Sequence, residues 1–271
     1  MASGVSRRIP APYPTMQKRT LPLDGAWELR RADSEDNWIS GSVPGCVHTD
    51  LLAHGLISEP FVGSNEESLQ WIERCSWVYR RIFDADEGLL SADHVDIVFE
   101  GIDTDCEIKL NGEVIGSGAN MFASYRLDIR DRLRKGYNRI EVLLKSPMEY
   151  IEAHRDPSYP REWNDKVGGC AFIRKQQCSF GWDWGPRFAT SGIWLPVRLE
   201  AWVEDRIERV HVSQKHGKDG VALRFRVETA MGVVCPDVEV VVSLRGYEIE
   251  RVRGCEVRIA DPELWWPNGI G

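Results

Sequence analysis

The chain has 271 residues, 42% of them hydrophobic and 28% charged, with 34 Lys and Arg against 42 Asp and Glu for a net charge of -8. That much apolar material offsets the entropy of ordering, so disorder is excluded, and an acidic chain without a dense basic block is expected to have no nucleic-acid partner. No apolar run approaches the roughly 20 residues of a membrane span, so no membrane partner is expected, and the length suits one large domain or two ordinary ones.

Residues 1–20 carry four basic side chains and several prolines but no apolar core of a secretory signal, and are expected to form a loose tail. His48 to Gly55 offers cap-type residues and a glycine stop, enough for a short helix. Trp77 to Phe83 and Val95 to Phe99 are β-branched, aromatic or alternating, and read as strands. Asn111-Gly112 sits between two alternating segments, Cys106 to Leu110 and Glu113 to Ile115, where a type I′ turn needs positive φ at both central positions; this predicts a hairpin. A further strand is expected over 138–145. Ser146-Pro147-Met148-Glu149 has the capping-box form for a short helix to about His154, ended by the Pro-rich loop 156–160. With a last strand near Leu195 to Trp202, residues 21–203 read as one antiparallel all-β domain.

From residue 204 to 271 the texture changes to five compact runs, at 209–212, 221–228, 238–245, 248–253 and 256–259. Five strands in so short a span are most of an immunoglobulin-like sandwich, which has about seven in roughly 100 residues, so this domain is expected to be truncated. The seven cysteines are odd in number and scattered without a C-x-x-C pair, and are read as reduced thiols. None of the seven asparagines is followed two positions on by Ser or Thr, so there is no N-glycosylation acceptor. With the missing signal, these observations favour the cytoplasm.

Eleven Trp is an unusual number for this length, and indole rings serve either large cores or the C–H faces of sugars. The densest segment is Gly181-Trp182-Asp183-Trp184-Gly185-Pro186. Two readings stand side by side. Either the rings fill core and Asp183 caps a turn, or the rings stack on a sugar whose hydroxyls Asp183 accepts. Glu66 and Glu67 are adjacent acids in an expected loop after Pro60 and Gly63, read as structural or solvated. Asp103 and Asp105 are read as turn and strand-start residues. The six histidines lack metal-ligand spacing, so no metal site is expected, and no G-x-S-x-G elbow supports a nucleophilic triad.

Several of these segments together carry a resemblance: Leu23-Asp24-Gly25-Ala26-Trp27, Val43-Pro44-Gly45-Cys46-Val47-His48-Thr49-Asp50-Leu51, Phe99-Glu100-Gly101-Ile102-Asp103-Thr104, Trp182-Asp183-Trp184-Gly185-Pro186, Gly192-Ile193-Trp194 and Leu264-Trp265-Trp266-Pro267-Asn268-Gly269. The chain resembles the N-terminal part of the β-mannosidases of glycoside hydrolase family 2, and the Trp-Asp-Trp-Gly-Pro run is the specific match. The resemblance implies a jelly-roll (galactose-binding-like) β-sandwich over 21–203, an incomplete immunoglobulin-like β-sandwich over 204–271, and a catalytic (β/α)-barrel lying C-terminal to this chain as its partner in the same polypeptide. It implies hydrolysis of terminal β-mannosides with retention, without metal or cofactor, by two glutamates of that barrel. No catalytic residue is therefore assigned in this chain, which alone is expected to be inactive. Asp183 would bind hydroxyls of the terminal mannose of the mannoside substrate, with Trp182 and Trp184 as the walls. The competing expectations are a free-standing carbohydrate-binding protein and a family member of another sugar specificity.

Overall fold

The computed structural model describes residues 18–35, 37–160, 162 and 167–270. Among these the chain forms two compact units, 18–203 and 204–270.

The first unit is built from ten strands, β1 (Arg19–Pro22), β2 (Gly25–Arg31), β3 (Ile39–Val43), β4 (Trp77–Ala85), β5 (His94–Phe99), β6 (Asp105–Leu110), β7 (Glu113–Ala119), β8 (Tyr125–Asp128), β9 (Gly136–Leu144) and β10 (Val197–Trp202). They make a four-stranded sheet in the order β1-β10-β5-β8 and a six-stranded sheet in the order β3-β2-β4-β9-β6-β7, and every pairing is antiparallel. The side-chain period of two sends Asn138, Ile140, Val142 and Leu144 of β9, and Cys106, Ile108 and Leu110 of β6, inward. The apolar ones join Ile97, Phe99, Val197 and Leu199 of the other sheet in a single buried cluster, so the unit is an all-β sandwich with one core between its sheets. Trp27 and Trp77 lie inside it, each 2% exposed, and their indole N–H groups donate to the Leu23 and Ile72 carbonyls.

The outer face of β5 and β10 is nearly as well covered as the inner. Its side chains are His94 stacked on Trp202 with ring centroids 5.1 Å apart, and a network in which buried Glu200 pairs with Lys18, Arg126 and Arg198. The three cations pull the Glu200 carboxyl down to about 2 against the opposing effect of burial. Strand β1 begins at Arg19 and pairs with Ala201 across to β10, which corrects the expected tail: residues 19 and 20 belong to the sheet. The rest of that tail, 1–17, lies outside the described residues.

The Asn111-Gly112 hairpin forms with φ of 53° and 89° at the two turn positions. Asn111 also donates to the Asn138 side chain at 2.9 Å and accepts the Arg139 N–H at 3.0 Å, locking the turn to β9. The two expected helices run Val47–Ala53 (α1) and Pro147–His154; the second is capped by Ser146, whose hydroxyl accepts the Glu149 N–H. Residues Asn65–Leu69 (α2), expected as loop, are a one-turn helix.

The second unit holds β11 (Ile207–Gly217), β12 (Gly220–Thr229), β13 (Glu239–Leu244), β14 (Tyr247–Arg253) and β15 (Glu256–Ile259), in a three-stranded sheet β11-β12-β15 and a two-stranded sheet β13-β14. Only Val221, Val227 and Val257 among its described apolar side chains are buried, and β11 is exposed along its whole length.

Candidate functional site

The segment that carries Trp182, Asp183 and Trp184 lies between the Pro147–His154 helix and β10, and its own small core holds it. Met148 and Ile151 of that helix pack with Cys170, Ile173, Phe180 and Ala189. Two further ties cross from this segment to distant chain. Lys175 is fully buried and paired with the Asp103 carboxylate, while its ammonium also donates to the Thr190 carbonyl at 2.9 Å. Burial pushes the Lys175 amino group down and Asp103 pulls it back up. Asp103 therefore does more than the expected turn role. Asp105 opens β6 and faces Lys145 at 3.3 Å.

The second tie is Arg187, 6% exposed. Its guanidinium pairs with buried Glu73, donates to Gln70 Oε1 at 2.6 Å and lies over the Phe180 ring. Its backbone is clamped as well, the N–H by Glu66 Oε1 at 2.7 Å and the carbonyl by Gln70 Nε2 at 2.8 Å. Glu66 thus has a structural role, as expected, although it sits at the start of a helix and not in a loop. Ser146 closes the loop of contacts by donating to the Glu73 carbonyl at 2.8 Å.

Between these anchors the chain makes one tight turn. Gly181 takes a φ of +87°, where a Cβ would also lie 3.2 Å from the Arg187 Cβ. Trp182 and Gly185 then exchange backbone hydrogen bonds of 3.1 and 3.3 Å, which leaves Asp183 and Trp184 at the tip. Trp182 is 48% and Trp184 79% exposed, with ring centroids 6.4 Å apart. Among the described residues nothing hydrogen-bonds the exposed Asp183 carboxylate. Among the described residues of this unit the two rings lie outside the buried clusters and Asp183 caps no turn. Trp182, Asp183 and Trp184, with Pro60, Phe61 and Glu66, line an open cavity of about 450 Å³. Two indole faces can stack on an apolar ring face, and an uncommitted carboxylate can accept from hydroxyls, the mix found in ligand pockets. Among the described residues no cluster of His, Cys, Asp and Glu could hold a metal ion.

A smaller apolar cavity of about 180 Å³ adjoins this one, sharing Pro60 and Phe61 and lined by His48 and Phe188. His48 is 7% exposed, its Nδ1 has no partner among the described residues, and its ring meets Phe188 edge-on at 5.5 Å. Burial, helped by the charge of Lys175, pushes its pKa down to about 4. A free imidazole titrates near 6.5, so the unfolded chain takes up a proton on acidification that the folded chain refuses. The stability is complete above about pH 6.5 and drains as the pH falls to 4, by up to about 3 kcal/mol. The thermal midpoint of wild type is expected to fall over that window, and calorimetry of His48→Gln is expected to show a flatter profile; an unchanged slope would assign the acid sensitivity elsewhere. Glu200 adds a second loss lower down, because its folded value of about 2 lies below the ordinary carboxylate range.

The chain belongs to the glycosyl hydrolase 2 galactose-binding domain-like family, whose model matches residues 27–195. A beta-mannosidase B of Emericella nidulans is 33% identical over 266 residues, covering 92% of this chain and 31% of the relative. The beta-mannosidase of Bos taurus is 30% identical over 277 residues, covering 93% and 31%. The crystal structure of the beta-D-mannosidase from Dictyoglomus thermophilum matches with a TM-score of 0.78 at 35% identity, over 93% of this chain and 33% of that one. A beta-glucuronidase of an uncultured Clostridium shares the fold alone, with a TM-score of 0.61 at 17% identity over 96% of this chain and 42% of the other. The chain spans about a third of the length of the relatives it matches.

Proposed function

We propose that this chain is the N-terminal part of a family 2 β-mannosidase that removes terminal non-reducing β-D-mannose residues with retention. Trp182, Asp183 and Trp184 supply substrate binding, and two glutamates of a barrel C-terminal to Gly271 supply the chemistry. The observation that carries this reading is the exposed carboxylate held between two exposed indoles on a loop pinned by Arg187 and Lys175. The relatives' own names point to the sugar. In the same reading residues 21–203 are the sugar-binding-type domain, and 204–271 is an immunoglobulin-like sandwich, supported by five antiparallel strands in two sheets. No helix among the described residues is long and apolar enough to cross a membrane. The absence of glycosylation acceptors among the seven asparagines supports a cytoplasmic location.

Retaining hydrolysis needs two carboxyls about 5–5.5 Å apart, one as nucleophile and one as acid/base. Glu66 already holds the Arg187 N–H, so this cavity offers one uncommitted carboxylate where two are required. The test is an assay of the full-length polypeptide and of residues 1–271 side by side on an aryl β-mannoside. Full-length protein is expected to release β-mannose first, as read by NMR of the product anomer, and the 271-residue chain to release none. Because an exposed carboxylate competes poorly with water for hydroxyls, titration calorimetry of the short chain with mannose should show binding no tighter than about 1 mM. Turnover by the short chain, or release of a different sugar by the long one, would overturn the proposal.

A further inference from the structure

Two of the seven cysteines meet in the second unit. After β12 the chain turns back, and residues 233–235 run along an edge of that strand: Val234 bridges Glu228, and the Cys235 N–H donates to the Val227 carbonyl at 2.8 Å. Strand β15 runs along the same strand further on, with Arg224 paired to Glu256 and the Phe225 N–H donating to the Cys255 carbonyl at 2.8 Å. The opposite edge of β12 is filled by β11 from Gly220 to Thr229, so both cysteines occupy the one remaining edge. They stand opposite Val227 and Phe225, two positions apart on one strand. Such positions are about 6.6 Å apart and share a face of the sheet. A disulfide spans Cα separations of about 4.4–6.8 Å. Partial burial and the neighbouring Cys235 thiol together push the Cys255 thiol up. Cys235 is the exposed member of the pair.

We propose that Cys235 and Cys255 form a dithiol that closes reversibly to a disulfide, a modification site that responds to a glutathione-type disulfide oxidant. The exposed Cys235 thiolate attacks one sulfur of glutathione disulfide and expels one glutathione thiolate, leaving a mixed disulfide on Cys235. The Cys255 thiolate then attacks the Cys235 sulfur and expels the second glutathione. Two protein thiols are oxidised, one small disulfide is reduced to two thiols, and the two cysteine protons end on the two glutathiones. The second step draws on a thiolate that its surroundings disfavour, so closure accelerates as the pH rises.

The bond has a structural consequence. The segment between the two cysteines contains β13 and β14 and nothing else of regular structure, so the disulfide ties both feet of that hairpin to the edge of β12. In a unit with three buried apolar side chains, a covalent tie of this kind restricts the unfolded chain and stiffens the hairpin base.

The experiment equilibrates the 271-residue chain with mixtures of reduced and oxidised glutathione, blocks free thiols, digests the protein and maps the peptides by mass spectrometry. The expected product is a Cys235–Cys255 linked peptide pair lacking two hydrogens. It should be half-formed at a glutathione ratio at least about tenfold more reducing for the folded chain than for the same chain in guanidinium, because the fold holds the thiols together. Oxidation should raise the thermal midpoint, Cys235→Ser should abolish both the link and that rise, and Cys178→Ser should change neither. Separate glutathionylation of the two cysteines, a link to another partner, or equal formation in folded and denatured chain would overturn the proposal.

Discussion

Asp183→Ala in the full-length polypeptide is expected to lower kcat/KM for a terminal β-mannoside by roughly 10²–10³-fold while leaving the melting temperature of the protein where it was. The two halves of that expectation have separate causes. The fold draws nothing from this carboxylate, which is exposed at the tip of the Trp182–Gly185 turn, and surface substitutions of that kind stay within about 0.5 kcal/mol. The activity is expected to depend on it because, in the proposed site, a sugar seated against the two indoles would receive its hydrogen bonds with water excluded. Each charge-assisted bond is then worth about 1.5–3 kcal/mol, and the hydroxyls lose their partner when the carboxylate goes. Asp183→Asn keeps the shape and one acceptor and should fall between the two. If the bonds hold ground state and transition state alike, the loss appears in KM; if they tighten as the ring flattens, it appears in kcat. Steady-state kinetics beside a thermal melt decide the matter, and near-normal kcat/KM would remove Asp183 from the site.

What the sequence made visible was what is written contiguously. The Asn111-Gly112 turn, the Ser146 cap and the alternation in β4, β5, β6 and β9 are local signals, and they appear where they were expected within a residue or two. Strands β1, β2 and β8 carried weaker ones. β1 and β8 are four residues long and β1 ends in proline, while β2 starts at a glycine and ends in two arginines, features that dilute a strand pattern. The Asn65–Leu69 helix follows a Pro and Gly stretch that reads as loop. Tryptophan composition was ambiguous for a physical reason, since the same ring that is 2% exposed at Trp27 is 79% exposed at Trp184. Local neighbours left both readings of Trp182 and Trp184 open, and only the resemblance of the whole Trp-Asp-Trp-Gly-Pro run favoured the sugar site. The anchors of the site were invisible. Arg187 and Glu73 are 114 residues apart, and Lys175 and Asp103 are 72. No periodicity or spacing rule links partners at that distance.

Those anchors set the other large effect. Arg187→Met is expected to destabilise the 18–203 unit by about 3–5 kcal/mol, the range for removing one partner of a buried pair. The Met side chain replaces the guanidinium's bulk against Phe180 and Met148 but leaves the Glu73 carboxylate, 4% exposed, buried without its counter-charge. The cost arises from the stranded charge more than from the lost attraction, and this makes a sharper test possible. Replacing both partners by Met removes the charge together with its counter-charge, and apolar substitutes for a buried pair are often neutral or better. The double variant should therefore recover most of the stability lost by the single one, as read by urea denaturation. Its loop should also keep its place, because the clamps on the Arg187 backbone come from Glu66 and Gln70 and do not use the guanidinium. Glu66→Ala attacks that clamp directly. It should cost the fold less than Arg187→Met and the full-length polypeptide's kcat/KM more than the double Met variant does, since freeing the Arg187 N–H loosens the turn that carries Asp183. A double variant as unstable as the single one would mean that the ion pair itself, rather than the burial of an unmatched charge, holds the loop to the sandwich.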